Sequence, residues 1–506
     1  MNRKKRGLGV FISYASTVVN MICGLVLSSF LLRALGDVEY GLYQTVASFA
    51  SYLVLLEFGT GTVMTRNIAV CMNEPDPDKR EEILRKNYST VWIISFILSV
   101  VILLVSIIFY FNLNGIYAKT MTESQIAYAK NILLIMIVYI LINYYTQNLS
   151  GYLLAREEYV FSKLVFLIKI IVRTVVLVTI IFFASYAVII AIVDLVLSAA
   201  VLAVTLAFQL KKYKTKVRFR DFDKGVFRTS MPMCIAMLLQ VLTNQANNNV
   251  DKFLLGIMMN LESVALYSIV QYIFVSFSSL ATVPVTMFLP EVSKNMAKKL
   301  PSREFTDTLV NPCRLTVIIC GSILCGFFAI GKQFIHVVYG ASKTDAWLYT
   351  MIILVPMFIY MTTAVLLNVL DIANKRIVGS LVLFGTTIVN IALTVIFMNF
   401  WGIIGAVIAT AIALVLGNII VMNIYYQKKF HIHLLYLYKK AFAGLLPYQI
   451  IAAVIAFFVA KLIPGALVSM LAGGALYLVV SFGAIYLFGL KPAEKERMKK
   501  LFRRRG

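Results

Sequence analysis

Charged side chains inside long apolar runs are the residues of this sequence best suited to chemistry. Lys169 and Arg173 stand four residues apart, so they share one face of a helix. An arginine meets phosphate as a bidentate fork and a lysine as a point charge, so the pair suits two phosphate groups. Two alternatives remain open. Asp194 could form a structural ion pair with them, or it could hold Arg173 and leave Lys169 free.

A polar stripe lies in the run QVLTNQANNNVDK, residues 240–252. Asn244, Asn248 and Asp251 recur there at three- and four-residue spacing, which places them on one side of a helix. Amides suit hydrogen bonds to sugar hydroxyls, and Asp251 suits a coupling proton or sodium ion. The alternatives are that the amides join helices, as Asn and Gln often do in membranes, and that Asp251 forms an ion pair with Lys252 or across the chain.

Arg33, Glu57 and Arg66 complete the candidate substrate-binding residues, together with Lys169, Arg173, Asn244, Asn248, Asp251 and Lys252. A carboxylate within an apolar run, as at Glu57, suits a protonation switch or a partner for a cation in a cavity. Arg66 is a candidate for the residue that first contacts a diphosphate group when a ligand enters. Both arginines could instead reach the headgroups as anchors.

Membrane helices must position these residues. The chain is 60% hydrophobic over 506 residues, with a mean hydropathy of +0.86, whereas soluble domains use about 45–50% apolar residues. About 20 apolar residues cross a bilayer as a helix. The runs predict an all-α membrane protein with fourteen transmembrane helices, at 9–34, 41–66, 88–112, 126–155, 160–184, 187–210, 228–257, 263–290, 312–331, 346–371, 377–399, 402–427, 440–461 and 466–489.

The net charge of +24 reflects topology. With the N-terminus in the cytoplasm, 38 of the 47 Lys and Arg residues fall on the inner side, as the positive-inside rule requires. This predicts a multi-pass protein with both termini cytoplasmic. It argues against a nucleic-acid-binding protein, because the basic residues lie in the loops without an aromatic-interleaved patch.

Two pairs of stretches in the chain resemble each other. The hairpin at 31–43 aligns with 253–268, and residues 151–177 align with 369–395, at a shift of about 218 to 224 residues. This predicts an N-terminal lobe (1–210, helices 1 to 6), a basic cytoplasmic linker (211–227), a C-terminal lobe (228–430, helices 7 to 12) and a final segment (431–506) with helices 13 and 14 and a basic tail. Such repeats are typical of alternating-access transporters.

Enzyme chemistry has little support in the sequence. The loops are too short for a catalytic domain, and no Walker loop is present. The three histidines do not form a metal site with the spacing that zinc requires. We therefore expect a secondary-type transporter, with no cofactor apart from a coupling proton or sodium ion.

The chain resembles a known family in two stretches. The segment 34–69, with the pattern R-x-L-G-x-x-x-Y-G-L-Y at 33–43, resembles the first hairpin of Wzx-type polysaccharide transporters in the multidrug/oligosaccharidyl-lipid/polysaccharide (MOP) flippase superfamily, the superfamily of the MATE fold. The stretch NNNVDKFLLG, 247–256, resembles its seventh helix. The resemblance implies a flippase that moves undecaprenyl-diphosphate-linked oligosaccharides from the inner to the outer leaflet of the bacterial cytoplasmic membrane, for O-antigen, capsule or exopolysaccharide.

The resemblance also implies that helices 13 and 14 form a groove for the lipid tail and that the partners are the bilayer and the polysaccharide polymerase machinery. A multidrug or cation exporter of the same superfamily and a lipid II flippase are the alternatives, followed by a membrane glycosyltransferase or polymerase. The sugars of the cargo, the coupling ion and the oligomeric state stay open.

Overall fold

The fold was analysed in a computed structural model that describes residues 3–57, 59–72, 74–298, 300–373, 375–490 and 495. It leaves out the side chains of residues 3–15, 17–18, 55, 236–237, 239–240, 242–244, 246–248, 283 and 286. The described chain is built from helices, which confirms the predicted all-α membrane class.

The chain divides into two compact units, 1–268 and 269–506, and the division falls within one helix. The lobes and the linker predicted at 211–227 therefore stay a prediction. The first seven helices lie in the first unit and the eighth begins there. They are α1 (Arg3–Leu53), α2 (Thr60–Cys71), α3 (Pro77–Tyr117), α4 (Glu123–Ala155), α5 (Tyr159–Phe183), α6 (Val188–Tyr213), α7 (Lys224–Met258) and α8 (Leu261–Ala297).

The second unit begins within α8 and continues with shorter helices. They are α9 (Ser302–Thr316), α10 (Ser322–Tyr339), α11 (Ala346–Thr362), α12 (Leu366–Ile372), α13 (Arg376–Trp401), α14 (Ile403–Ala413), α15 (Met422–Phe430), α16 (Leu434–Phe442), α17 (Leu446–Leu462) and α18 (Ala466–Ala484). Widened π-helical turns join α9 to α10 and α14 to α15, and another extends α18.

Ten helices among the described residues are long and apolar enough to cross a membrane. Two further pairs, α11 with α12 and α16 with α17, are bent by 49° and 48° and bring the number to twelve if each pair is one span. The first two predicted spans are joined within α1, and α7 is not among the ten. The chain is therefore a multi-pass membrane protein, and the number fourteen stays a prediction.

Glycine breaks the first long helix where the sequence predicts a hairpin. Gly36 has φ 76° and ψ 174°, a left-handed conformation that is strained for residues with a side chain. Just beyond this break, Glu39 accepts a hydrogen bond from the backbone N–H of Ala187 (2.8 Å), directly before α6 begins. The hairpin thus turns the chain and holds the N-terminus of α6.

The second predicted span, 41–66, is not continuous. Its helix ends at Leu53, a short 3₁₀ turn follows at Val54–Glu57, and α2 begins at Thr60 after Gly59, whose φ is 60°. The run LVLLEFGTG carries a single charged residue, Glu57, among mostly apolar ones, so hydropathy alone does not reveal this interruption. The break places Glu57 in a turn between two helices.

Close packing fixes α2 against α4 immediately after that turn. A Cβ atom on Gly151 would lie 2.2 Å from the carbonyl oxygen of Gly61, so the two backbones are in direct contact. Thr60 donates a hydrogen bond to the Asn148 side chain (2.8 Å), which in turn donates to Ser95 on α3 (2.9 Å). Asn148 is fully buried and joins three helices.

In the second unit a buried arginine holds helix ends together. Arg314 on α9 is 3% exposed. Its guanidinium donates to the carbonyl oxygens of Ala443 (2.9 Å) and Gly489 (2.8 Å), with a longer contact to Lys440 (3.3 Å). These carbonyls lie at the end of α16 and just beyond α18, where helices leave acceptors without an internal partner.

Arg314→Ala is expected to destabilise the protein by roughly 3 kcal/mol, because hydrogen bonds to a charged group contribute about 1.5–3 kcal/mol and three buried carbonyls lose their donor. The thermal midpoint of purified protein in detergent measures this. Arg303→Ala is the control, since Arg303 is an exposed arginine on the same helix that stacks on Tyr436. Equal midpoints for the two variants would contradict the role of Arg314.

Gly151→Ala is expected to lower the thermal midpoint, because the added methyl group pushes α2 away from α4 and displaces the Glu57 turn. Overpacking of this kind costs about 1–3 kcal/mol. Gly115→Ala on α3 is the matched control, because nothing lies within 4 Å of a Cβ atom there. A Gly151→Ala protein as stable as the Gly115→Ala protein would show that the contact has room to relax.

Candidate functional site

A cavity of about 460 Å³ lies within the first unit, between the Glu57 turn and helices α4, α5 and α6. This volume is in the usual range for ligand pockets, about 300–1,000 Å³. Apolar side chains form part of its wall. Its polar lining is contributed by Glu57, Tyr139, Asn143, Thr146, Gln147, Ser150, Ser162, Lys169 and Thr205.

Lys169 is the cation of this cavity. Its ammonium donates hydrogen bonds to Ser198 on α6 (2.9 Å) and to the side-chain oxygen of Asn143 on α4 (3.3 Å), and it stands 5.8 Å from the centre of the Tyr139 ring. All three partners are neutral. Lys169 is absent from the ion pairs of the described residues, so its direct partners are dipoles, and the Asp194 carboxylate attracts it only from a longer distance.

Glu57 is the carboxylate of the same cavity. Its side chain is 5% exposed, and its Oε1 atom is buried without a hydrogen-bond partner among the described residues. An unsatisfied buried oxygen is costly, so its position facing a cavity is informative. The cavity therefore carries one group of each sign. A cation, a hydrogen-bond donor or a proton can satisfy the unpartnered oxygen of Glu57.

Arg173 is committed elsewhere. Its guanidinium forms a bidentate ion pair with Asp194, in which Nε contacts Oδ1 and Nη2 lies 2.9 Å from Oδ2. Arg173 is not among the residues that line the cavity. Of the two cations predicted to bind two phosphates together, only Lys169 therefore lines the cavity. The arrangement is the shared one, with Asp194 holding Arg173.

The other predicted residues are spread over the unit. Arg33 and Arg66 are exposed, and the Arg66 guanidinium contacts the sulfur of Met233 (3.3 Å). Neither lines the cavity. Asp251 is 4% exposed and accepts a hydrogen bond from the hydroxyl of Tyr267, while Lys252 is half-buried.

The candidates Asn244 and Asn248 lie on α7, but their side chains fall outside the described residues. The amide stripe and its coupling ion therefore stay a prediction. A search of the described residues finds no group of three or more His, Cys, Asp or Glu that could hold a metal ion.

The wall that α4 contributes to the cavity was not predicted from the sequence. Tyr139, Asn143 and Gln147 recur every four residues and line the cavity together, so they form one polar stripe on a membrane helix. That spacing was a readable signal. It was hidden by the adjacent Asn148, which points away from the stripe and joins helices.

Comparison with known proteins places the chain in a family and a fold. The family described as "Polysaccharide biosynthesis protein" matches residues 7–296. No curated protein matches the chain. Among solved structures, the chain is similar to the lipid II flippase MurJ in an inward closed conformation, with a TM-score of 0.70 and 17% identity over 94% of this chain and 98% of that one.

Two multidrug transporters show the same fold at lower similarity. The MATE transporter DinF-BH in complex with R6G has a TM-score of 0.54 and 15% identity over 85% of this chain and 96% of that one. An outward-facing MATE transporter of the MOP superfamily has a TM-score of 0.54 and 13% identity over 84% and 95%. At these identities the likeness is one of fold, whereas the family match spans more than half of the sequence: the chain belongs to the polysaccharide biosynthesis protein family.

Proposed function

We propose that the protein is a flippase that carries undecaprenyl-diphosphate-linked oligosaccharide repeat units across the bacterial cytoplasmic membrane by alternating access. The observation that carries the proposal is Lys169, a cation that is absent from the ion pairs of the described residues and lines a cavity of a polysaccharide biosynthesis protein. The cargo would serve O-antigen, capsule or exopolysaccharide synthesis. The fold shared with a lipid II flippase supports a lipid-linked sugar as the class of cargo.

In this proposal, different groups of the cavity bind different parts of the cargo headgroup. The Lys169 ammonium exchanges its hydrogen bonds to Ser198 and Asn143 for phosphate oxygens, and the charge-assisted bonds that result are stronger than those to neutral partners. Asn143 and Gln147 then offer amides to sugar hydroxyls. The lipid tail stays in the bilayer, because about 0.8 kcal/mol per CH₂ group opposes its transfer to water.

Glu57 provides a second role for the same cavity. When the phosphate leaves, loss of a proton from Glu57 gives a carboxylate that balances the Lys169 ammonium, and the cavity returns to low net charge. A charge left uncompensated during translocation would respond to the membrane potential by about 2.3 kcal/mol per 100 mV. Export of an organic cation or drug is the second candidate function, and the unpartnered Glu57 oxygen favours it.

The first test is a flipping assay in proteoliposomes, with fluorescent undecaprenyl-diphosphate oligosaccharide and a membrane-impermeant quencher. Lys169→Gln is expected to lower the initial rate at least tenfold, since a charge-assisted bond is worth about 1.5–3 kcal/mol and 1.4 kcal/mol corresponds to a factor of ten. Lys163→Gln is the control, because Lys163 lies on the same helix and does not line the cavity.

The same vesicles separate the candidate functions. A wild-type rate in folded Lys169→Gln protein would contradict the phosphate role of Lys169. Transport of a cationic dye that depends on Glu57 and not on Lys169, without flipping of the lipid, would favour the exporter. Labelled lipid II in place of the repeat unit determines which lipid-linked sugar is preferred.

A second test concerns Arg173. Asp194→Asn leaves the guanidinium without a counter-charge and is expected to cost roughly 3 kcal/mol, seen as a lower thermal midpoint. The double variant Arg173→Met/Asp194→Leu is expected to regain most of that stability and to keep its flipping rate, because a matched apolar pair replaces a buried ion pair at little cost. A stable double variant that flips as slowly as Lys169→Gln would assign Arg173 to cargo binding.

A further inference from the structure

A second, strongly basic pocket lies at one end of the first unit. Its volume is about 820 Å³, and it is bounded by the start of α3, the ends of α4 and α6, and the segment 214–218. Seven Lys and Arg residues line it against two carboxylates. The positive-inside rule places this end of the unit in the cytoplasm.

Two of the seven cations already have counter-charges. Arg85 pairs with Asp221 (2.9 Å), and Lys212 pairs with Glu158. The remaining five are absent from the ion pairs of the described residues: Arg80, Arg156, Lys214, Lys216 and Arg218. Loop charges of one sign are ordinary at this membrane face, but five unpaired cations around one concave pocket call for an anion.

The pocket wall is a fixed structure. Thr215 hydrogen-bonds to the Tyr152 hydroxyl (2.9 Å), and its carbonyl oxygen accepts from the Gln209 amide (2.9 Å). Farther along, the N–H of Arg218 donates to Ser89 (3.2 Å). The segment that carries three of the cations is therefore held against α3, α4 and α6.

Arg156 is the most enclosed of the unpaired cations. Its guanidinium stands 4.9 Å from the centre of the Tyr213 ring and 5.4 Å from that of Tyr152, and cations of this kind are attracted to ring faces. Its Nε atom is buried without a hydrogen-bond partner in the described part of the chain. The rings hold the guanidinium in place, and its Nε donor stays unsatisfied.

Backbone strain coincides with this pocket. Three non-glycine residues with positive φ are found in the described chain, and two of them are Glu157 (65°), next to Arg156, and Lys214 (54°), which lines the pocket. Such conformations cost about 1–3 kcal/mol and persist where the surroundings impose them, often at binding sites. Here they turn the ends of α4 and α6 around the pocket.

We propose that this basic pocket binds a ligand that carries a diphosphate group. A diphosphate brings two or more negative charges and several acceptor oxygens, which matches the unpaired cations better than a single phosphate. Guanidinium groups bind phosphate in bidentate fashion, and Arg156 and Arg218 supply two of them. The diphosphate belongs either to a soluble nucleoside diphosphate or to the headgroup of a lipid diphosphate. The assignment does not depend on the proposed transport function.

Calorimetric titration of the purified full-length protein with inorganic pyrophosphate tests this. Arg156→Gln/Arg218→Gln is expected to raise the dissociation constant at least tenfold. The control Lys211→Gln/Arg220→Gln removes two charges from the same segments outside the pocket and is expected to change it less than twofold. Lys214→Gln/Lys216→Gln, at two exposed positions, repeats the test without disturbing the stacked arginine.

Equal weakening in the pocket and control variants would overturn the site, because it would reveal a diffuse electrostatic attraction. Absence of saturable binding to the unaltered protein would overturn it too. Displacement of pyrophosphate by uridine diphosphate assigns the pocket to a soluble nucleotide, and displacement at lower concentration by farnesyl diphosphate assigns it to a lipid diphosphate. Displacement by neither would overturn the diphosphate assignment. None of these results depends on whether the protein flips lipids.

Discussion

Charged groups among membrane helices need counter-charges or hydrogen-bond partners from the protein itself, and this constraint organises the structure. Arg314 donates hydrogen bonds to three backbone carbonyls, Arg173 forms an ion pair with Asp194, and Asp251 accepts a hydrogen bond from Tyr267. In each case a costly charged group finds partners within the protein. Lys169 and the Oε1 atom of Glu57 are different, because the first has only neutral partners and the second has none in the described chain. These two groups line one cavity. Their incomplete hydrogen bonding and charge pairing, compared with the other charged groups, identify this cavity as the candidate site.

The sequence predicted the class of fold because membrane helices depend on length, hydropathy and the location of basic residues, all of which are visible in one dimension. It also indicated the hairpin at 31–43, where Gly36 adopts a left-handed conformation that glycine tolerates. The interruption at 54–59 was not predicted. Mostly apolar residues continue on both sides of Glu57, and the interruption is visible only in the structure, where α2 packs on α4.

The site was partly predictable for a similar reason. Intramembrane charges identified Lys169, Glu57 and Arg173, but a sequence cannot decide which of two neighbouring cations a single aspartate will hold. Asp194 pairs with Arg173, whose planar guanidinium matches both carboxylate oxygens. The amides of α4 were harder still to assign. Gln147 and Asn148 are adjacent, yet one lines the cavity and the other is buried between helices.

The cavity and the basic pocket are connected through aromatic contacts. Phe161 lines the cavity and stacks on Phe208 at 3.9 Å, and the ammonium of Lys212, which lines the basic pocket, stands 5.3 Å from the Phe208 ring. Rotation of either ring would alter the wall shared by the two spaces. The polar chemistry of this unit is thus arranged along α4, α5 and α6.

The carbonyls that accept hydrogen bonds from Arg314 also restrict how this protein can be shortened or recombined. They come from residues 440, 443 and 489, so the end of α16 and the turn that extends α18 supply the solvation of a charge that α9 buries. A chain that ended after α15 would leave that guanidinium without these acceptors. The C-terminal helices are therefore an inseparable part of the second unit, and a chimera with a related transporter should exchange them together with α9.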